Sequence, residues 1–549
     1  MRIAERLVYE ARAHGLAGDG TTNDQPALAA LVDSLGDAYA ADGQPRSILC
    51  SAGTYAIHDE GTRWRSGVSL IGAGAGATRF VLSNPSRPAA PTPLAVFTAR
   101  DHDAGRDNHL ADCAFAHFEI DGSGVTLPAY DVNAKGLFLQ YVLRGRFHDL
   151  YIHDTGATGF GCDFLQDTVL DSVHARHCGR LNNGEEMGGA GIGIGIGGWG
   201  STERLTVTAC TTVGNGTNGI FVELQKRRWA PTRGIRIIGC HAEGNRFGIS
   251  DWGADGLIVS ACTMLGNHQA GYDVSALGTS SVAGRGGIVT GCVIDGNAWD
   301  GVAVGNTPGP YTVDGNRISR NGRYGYWQHN LGPSGRAEAL GEGFLGGDDE
   351  PAAGITVSGN DIWDNALDGI RVDSPVTDAF LTANRVHGNG RQSAPGASGG
   401  GTTVSYSPHA VHDTAAAWPP GGHAGKIVAA GSQQALVVGN TATSLMLAPA
   451  RPGSATAWRD GTPPRGAEYR LPDAPAARAG LTLAAAADAP TIRDNRIWSQ
   501  THGLRITASG DCSSGRVHDN DLAGNAVAFD GVFSGGRWAD NIGVDTTLS

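Results

Sequence analysis

The sequence predicts an all-β fold, a right-handed single-stranded parallel β-helix. Segments that begin with glycine and alternate in polarity recur along the chain, such as GIGIGIGG at 191–198, GIFVELQK at 219–226 and GISDWGAD at 248–255. Such alternation is typical of strands. The near-repeats NGTNG, NRFGI and NHQAG separate these segments, which gives a repeat of roughly 22–31 residues, the size of a solenoid repeat. Successive turns are expected to stack in parallel, about 4.8 Å apart.

The composition agrees with a repetitive fold and restricts the partners. Glycine accounts for 84 of 549 residues, about twice the usual share, and the glycines fall at fixed places in the repeat. The net charge of −13 disfavours a nucleic-acid partner, because proteins that bind nucleic acids are usually basic. It also disfavours a strongly anionic polymer. The sequence has no apolar run of 18 residues, so no membrane span is expected.

Two residue types mark equivalent places in successive repeats. Five of the nine cysteines follow strands such as LTVTAC at intervals of 32, 30, 22 and 30 residues: Cys178, Cys210, Cys240, Cys262 and Cys292. No CxxC spacing occurs, so we expect an internal column of buried thiols and no structural zinc. Asparagines form a parallel series, and asparagine tolerates tight turns and can bond along a stack: Asn215, Asn245, Asn267, Asn297 and Asn321.

A helix is predicted near the amino terminus. Asp24 precedes apolar residues at helical spacing, so it is expected to cap the helix. The predicted apolar face consists of Ala27, Leu28, Leu31, Val32 and Leu35. Such a helix would cover one end of the solenoid, where strand edges are otherwise unpaired.

The amino-terminal segment also resembles a known group of proteins. GDGTTNDQPALAALVD at 18–33, ILCSAGTYAI at 48–57 and VSLIGAGAGATRFVL at 68–82 are similar to the opening segment of the pectate-lyase-like β-helix superfamily, which includes secreted polysaccharide hydrolases, lyases and epimerases and phage tailspikes. The resemblance covers about the first 80 residues as a motif and the rest as a repeat type. It implies a β-helix fold and a carbohydrate polymer as substrate. The polygalacturonase motifs, the RxPxxR signature of pectate lyases and the DPHD motif of alginate epimerases are absent.

The repeat pattern divides the chain into four predicted segments. Residues 1–45 form a cap with the helix, and residues 46–405 form the β-helix. Residues 406–475 contain short strands without the repeat spacing, which predicts an inserted small β module. Asn495 and Asn520 restore the repeat, so residues 476–549 are interpreted as the final β-helix turns.

The outward positions of the strands supply the catalytic candidates. After each leading glycine, the second and fourth residues point outward. Glu223 is the first candidate, because it is the only glutamate projecting from its strand and lies next to the bare glycine strand at 191–198. Glycosidases usually need two carboxylates. The predicted partner is Asp251 or Asp273, with Asp163 and Glu186 in reserve.

The spacing of the predicted turns implies a different carboxylate geometry for each of the two possible partners of Glu223. Glu223 and Asp273 lie two predicted turns apart, and side-chain reach could bring them to the roughly 6.5–9.5 Å of an inverting pair. Simple alternation turns Asp251 inward, where an unpaired carboxylate is costly. We therefore expect a bulge in SDWGAD to turn Asp251 outward, close to Glu223 as in a retaining pair.

Aromatic and polar residues on the same predicted face are candidates for substrate binding. Phe221, Trp252 and Trp327 could offer apolar faces to sugar rings, and His329 could donate a hydrogen bond. Lys226 and Trp229, in a loop at 225–234, suit a sugar or an anionic group. Each of these residues has an ordinary alternative as a surface or packing residue, and the cluster favours a site more than its members do.

The predicted function is a glycoside hydrolase that acts on a poly- or oligosaccharide without a cofactor or a metal. A polysaccharide lyase, a fructan-type transglycosylase and a non-catalytic glycan-binding tailspike or adhesin stay open as alternatives, as does a homo-oligomer such as a trimer. The resemblance implies an extracellular protein. The start, MRIAERLVYE, lacks an apolar signal core, which keeps a cytoplasmic location open.

Overall fold

The structure is a computed structural model, and it divides into two compact units. It describes residues 7–85, 97–98, 105–181, 189–226, 229–274, 286–305, 309–329, 352–392, 394–448, 456–458, 460–473, 478–507, 512, 514–533 and 536–544. The first unit comprises residues 1–245 and 252–258, and the second comprises residues 246–251 and 259–549. Each unit is a set of stacked parallel strands, as the predicted β-helix requires.

The predicted amino-terminal helix is present in the first unit as Gln25–Asp42. Its buried face contains Leu28, Leu31, Val32 and Leu35, and the helix ends at Gly43 with a left-handed φ of 69°. The predicted side-chain cap is wrong. Asp24 occupies the N-cap position, but its carboxylate accepts hydrogen bonds from the backbone N–H groups of Ala17 (2.5 Å) and Gly18 (3.2 Å), so it fastens the preceding segment instead.

The first unit contains 3₁₀ turns at Ala11–His14 and Gly200–Thr202 and short strands that pair in parallel. These strands are Leu7–Glu10, Asp19–Asn23, Arg46–Leu49, Gly53–His58, Thr62–Arg63, Val68–Ile71, Thr78–Ser83, Phe97–Thr98, Leu110–Ala111, Ala114–Gly124, Leu137–Phe138, Gln140–Leu143, Arg146–His153, Phe160–Gly161, Asp163–Gln166, Thr168–Arg176, Ile192–Ile196, Leu205–Thr208, Thr211–Val213, Asn218–Leu224, Ile235–Ile238 and His241–Glu243. The chain passes between the units within Phe247–Trp252 and Leu257–Ser260.

The second unit continues the same kind of parallel pairing. Its parallel strands are Thr263–Leu265, Tyr272–Val274, Gly287–Thr290, Val293–Asp295, Val302–Gly305, Tyr311–Asp314, Arg317–Ser319, Tyr326–His329, Ala352–Ala353, Thr356–Ser358, Asp361–Trp363, Ile370–Val372, Val376–Thr377, Phe380–Thr382, Arg385–His387, Ala479–Leu483, Ala487–Asp488, Thr491–Arg493, Arg496–Trp498, His502–Ile506, Arg516–His518, Val527–Gly531 and Arg537–Ala539.

A small antiparallel sheet interrupts the parallel strands of the second unit, as the fold class predicted. In sheet order it consists of Ala397–Gly399, Tyr469–Leu471, Ile427–Ala430, Gln433–Asn440, Ser444–Leu447, Ala410–Asp413 and Val404–Ser407. Its core includes Val411, Val437 and Trp458. The buried Lys426 ammonium donates hydrogen bonds to the carbonyls of Ala394 (2.6 Å) and Pro472 (2.7 Å), and burial lowers its pKa to about 8.

Stacked asparagines and cysteines line the turns of each unit. In the first unit, Asn215 donates to Oδ1 of Asn245 at 2.8 Å. In the second, the side chains of Asn267, Asn297, Asn321, Asn365 and Asn389 bond in sequence from one turn to the next. All nine cysteines are buried thiols. Every residue in such a stack has an equivalent residue one turn away. A side chain that fulfils the hydrogen bonds of one turn can therefore do the same in the next turn.

No helix within the described residues is long and apolar enough to span a membrane.

Candidate functional site

Three neighbouring strands of the first unit bring Asp163, Gly195 and Glu223 together. Gly195 pairs directly with Glu223, and the backbone N–H of Gly195 donates to Oδ1 of Asp163 at 2.9 Å. A Cβ atom on Gly195 would lie 2.5 Å from that oxygen. The bare glycine therefore lets the Asp163 carboxylate lean across its strand toward the strand of Glu223.

A glutamine amide holds each of the two carboxylates. Nε2 of Gln140 donates to Oδ2 of Asp163 at 3.2 Å, and Nε2 of Gln225 donates to Oε2 of Glu223 at 3.0 Å. Asp163 and Glu223 are both half-buried. Neutral amide donors thus contact both acids.

Aromatic rings lie on the strand of Glu223 and on other strands of the first unit. Phe221, two residues before Glu223, pairs with the bare Gly193 and contacts the Trp252 ring edge to face, with centroids 4.5 Å apart. Trp252 is 3% exposed, so the Phe221 ring packs against a buried ring. The Lys135 ammonium lies 4.1 Å from the centroid of the Phe138 ring. Phe221 is half-buried, and its role in binding a ligand stays a prediction.

The loop residues Lys226 and Trp229 form a compact pair. The Lys226 ammonium lies 4.8 Å from the centroid of the Trp229 ring, and that ring contacts Phe164 at 5.4 Å. Lys226 lies just beyond the end of the strand Asn218–Leu224, which carries Glu223, and Phe164 directly follows Asp163 at the start of the strand Asp163–Gln166. Both contacts therefore lie close in sequence to the two carboxylates. Their role in binding a substrate stays a prediction.

Sequence reasoning missed Glu203, which organises this end of the strands. Its carboxylate is 1% exposed and accepts hydrogen bonds from the N–H groups of Gly197 (2.9 Å) and Trp199 (3.0 Å) and from Oγ1 of Thr232 (2.6 Å). Burial raises the pKa of Glu203, and these hydrogen bonds offset part of the rise. An isolated glutamate between two loops gives no periodic signal, so the sequence could not single it out.

The expected outward rotation of Asp251 is wrong. In the second unit, Ser250 pairs with Asp273 and Asp251 with Val274, in unbroken register. Asp251 is 0% exposed, and Oη of Tyr311 donates to its Oδ2 at 2.8 Å. A hydrogen-bonding partner inside the core removes the cost that was expected to force a bulge. The pairing of Glu223 with Asp251 or Asp273 stays a prediction.

Asp273, Trp327 and His329 belong to the second unit. All three are buried, with exposures of 0%, 3% and 0%. His329 covers the bare Gly305, and its ring centroid lies 4.1 Å from that of Trp327. Nε1 of Trp327 donates to Asp373 at 2.8 Å. These side chains therefore pack against their own strands, and contact with a sugar would require them to move.

A network of charges around Trp327 was not predicted. The Arg323 guanidinium lies 4.4 Å from the centroid of the Trp327 ring. Arg371 bridges Asp368 (3.1 Å) and Asp373 (2.8 Å), and burial raises the pKa of Asp368. Arg371 thus pairs with the buried Asp368 and with the partly exposed Asp373.

One group of residues in the described part of the chain could hold a metal ion. Ligand atoms of Asp121, His153 and Asp154 lie within 4.8 Å of one another. Arg79 already contacts Asp121 (2.5 Å) and Glu119 (2.6 Å), and both ring nitrogens of His153 face carboxylates. The side chains of Arg79 and His153 thus already contact the carboxylates of this group. Glu186, a reserve candidate, lies outside the described residues.

Comparison with known proteins identifies the repeat. The family described as the right-handed β-helix region matches residues 229–334. The chain contains a right-handed β-helix. The surface adhesin PfbA of Streptococcus pneumoniae has the same fold, with a TM-score of 0.51 at 12% identity over 70% of this chain and 91% of that one. At such identity, the likeness shows the fold alone.

Two curated relatives match part of the chain. It is 29% identical over 196 residues to mannuronan C5-epimerase AlgE3 of Azotobacter vinelandii, which covers 31% of this chain and 10% of that protein. It is 27% identical over 186 residues to the capsule KN3-specific depolymerase 1 of Klebsiella phage KN3-1, which covers 33% of this chain and 22% of that protein. The chain therefore matches well under two thirds of either relative.

Proposed function

We propose that this β-helix is a carbohydrate-active enzyme, a glycoside hydrolase whose catalytic carboxylates are Asp163 and Glu223. The observation that carries the proposal is their placement on either side of Gly195, with Asp163 leaning onto the Gly195 backbone at 2.9 Å. Two carboxylates flanking one bond are the requirement of most glycosidases. The two curated relatives, named as an epimerase and a capsule depolymerase, support a carbohydrate substrate.

We assign a retaining mechanism to this pair. Asp163 and Glu223 lie two strand spacings apart, about 9.6 Å between backbones, and the lean of Asp163 onto Gly195 brings its carboxylate toward the strand of Glu223, so the two carboxyl groups are expected to lie closer than that. Retaining enzymes place their carboxyl groups about 5–5.5 Å apart, whereas inverting enzymes need about 6.5–9.5 Å. Asp163, which Gly195 and Gln140 hold in one orientation, would attack the anomeric carbon. Glu223 would protonate the leaving oxygen and then deprotonate the water.

Turnover of single variants tests this proposal. Asp163→Asn and Glu223→Gln should each lower turnover about a hundredfold or more, with an unchanged melting temperature, on whichever polymer of a polysaccharide panel the wild type cleaves. Asp171→Asn is the matched control, because Asp171 lies in a different strand, Thr168–Arg176, and its carboxylate contacts Ser172 and the exposed His148. Near-normal turnover in both variants would refute the pair.

The products separate the alternatives. Retention of anomeric configuration, read by NMR at early times, supports the retaining pair, and inversion contradicts it. An unsaturated product would identify a lyase, and cyclic or transferred products a transglycosylase. Proton exchange without cleavage would identify an epimerase. Binding without any product would identify an adhesin.

A further inference from the structure

Four aromatic side chains of the first unit gather beside the strands of the candidate site. The Phe164 ring contacts Tyr141, with centroids 4.6 Å apart, and Trp229, at 5.4 Å. The Trp199 ring contacts Tyr141 at 5.9 Å, and Nε1 of Trp199 donates to the carbonyl of Phe164 at 2.8 Å. These four residues, Tyr141, Phe164, Trp199 and Trp229, are called the aromatic cluster.

The cluster is attached to the strands that carry the carboxylates. Phe164 follows Asp163 directly, and Trp199 follows Gly195 by four residues. Trp229 follows Glu223 by six residues, beyond the end of the same strand. Gly195 contacts the Asp163 carboxylate and Gly197 packs against the Trp229 ring. These two glycines are two residues apart, and an extended chain spans about 3.3 Å per residue, so the cluster begins roughly 7 Å from the Asp163 contact.

Glycine backbone and Glu203 fix the orientation of the cluster. A Cβ atom on Gly197 would lie 3.0 Å from the Trp229 ring, and one on Gly198 would lie 2.4 Å from the Phe164 ring. The loop backbone is therefore packed between these two rings. Glu203 anchors the loop by accepting from the N–H groups of Gly197 and Trp199.

Exposure distinguishes the cluster from the aromatic core of the same unit. The core rings of Phe80, Phe97 and Phe115 are 0% exposed, whereas Tyr141, Trp199 and Trp229 are all half-buried. A tryptophan whose only role is to fill the core is expected to be shielded from solvent, as these core rings are. Rigid, partly exposed aromatic rings with polar edges are typical of binding sites, because they offer a large contact area at little entropic cost.

We propose that the aromatic cluster is a sugar-binding subsite that holds the residue of a glycan next to the bond between Asp163 and Glu223. This proposal rests on the proposed function, because the position of the glycan is defined relative to the catalytic pair. The rings pack against the apolar face of the sugar, and the exposed cations Lys226 and Arg106 lie at the rim. Nε of Arg106 donates to the carbonyl of Gly198 at 2.8 Å, which ties this rim to the same loop.

Binding measured apart from turnover tests the subsite. In the Glu223→Gln protein, Trp199→Ala and Trp229→Ala are added singly. Affinity is then measured by electrophoresis in gels that contain mannuronan, polygalacturonate, dextran or xylan. Each tryptophan variant should weaken binding of the retained polymer about tenfold, the usual loss for a central aromatic contact. Trp538→Ala, at a half-buried tryptophan of the second unit, is the matched control and should bind as the parent does.

The outcomes separate the subsite from the catalytic pair. Unchanged affinity in both tryptophan variants, or no retention of the parent by any of the four polymers, overturns the subsite. Normal turnover of Glu223→Gln alongside weaker binding of the tryptophan variants overturns only the catalytic pair. If an alanine variant does not fold, Trp199→Phe and Trp229→Phe replace it, and Glu203→Gln should reproduce the loss of affinity with a change in tryptophan fluorescence.

Discussion

The Asp163 carboxylate accepts a hydrogen bond from the backbone N–H of Gly195, at 2.9 Å. The contact joins two turns of the first unit, because the residues are 32 positions apart in the chain. It is possible only because Gly195 has no side chain. The glycine strand thus positions an acid and does more than leave empty space for a ligand.

Gly195→Ala should therefore damage the candidate site without disturbing the fold. Its Cβ would lie 2.5 Å from Oδ1 of Asp163 and 2.8 Å from Cγ of Gln225, so both side chains must move. A displacement of about 1 Å can cost about a hundredfold in rate. Gly193→Ala is the control on the same face of the strand, where the nearest atom is Cγ2 of Thr158 at 3.1 Å. Equal turnover in the two variants would contradict a role for this contact.

Asn321→Ala should destabilise the second unit. Oδ1 of Asn321 accepts from the backbone and side-chain nitrogens of Asn297, and Nδ2 of Asn321 donates to Asn365. Each buried polar group left without a partner costs about 1–3 kcal/mol, so unfolding in denaturant should show a loss of several kcal/mol. Asn541→Ala is the comparison, since Asn541 accepts from Asn520 in the same way but is partly exposed. Similar losses at both sites would argue against burial as the cause.

Cys292→Asn should be tolerated better than Cys292→Ala. The N–H of Cys262 donates to the sulfur of Cys292, and the N–H of Cys292 donates to Oδ1 of Asn316. The thiol column thus continues as an asparagine column. An asparagine at 292 would find its acceptor in the carbonyl of Val259, which the Cys292 thiol already faces at 3.9 Å. Asn316 finds the equivalent carbonyl, that of Val289, at 2.9 Å. Thermal melting of the two variants measures the difference, and a lower melting temperature for Cys292→Asn would disprove the equivalence.

The stability contributed by His153 should decline as the pH rises. Burial lowers its pKa, but hydrogen bonds to Asp154 (2.8 Å) and Glu119 (3.0 Å) outweigh burial, so the pKa is raised above 6.5. The folded protein then holds the proton more tightly than the unfolded chain. The stabilisation is complete below about pH 6.5 and is lost as the pH passes the raised pKa.

Comparison with His153→Gln checks this dependence. The difference in unfolding free energy between wild type and His153→Gln should be largest near pH 6 and should shrink toward pH 9. His148→Gln is the control, because His148 makes a similar contact to Asp171 (2.9 Å) on an exposed surface. A difference that grows with pH would contradict a protonated His153.

The period-two alternation and the repeat length determined much of the architecture. They predicted which residues share a column, including Gly193 with Phe221 and Gly195 with Glu223, because parallel stacking places equivalent residues one turn apart. They also predicted the asparagine columns and the buried thiols. Asp163, predicted on the outward side, is half-buried, and its carboxylate accepts from the backbone N–H of Gly195.

Only the tertiary structure decided how individual polar side chains are satisfied. Asp251 stays inside because Tyr311, 60 residues later, donates to it. Glu203 matters because two loops converge on it. Asp163 became the partner assigned to Glu223 because its carboxylate leans onto Gly195. Periodicity sets the direction of a side chain, whereas the partner of a buried charge depends on rotamers and on loops that follow no period.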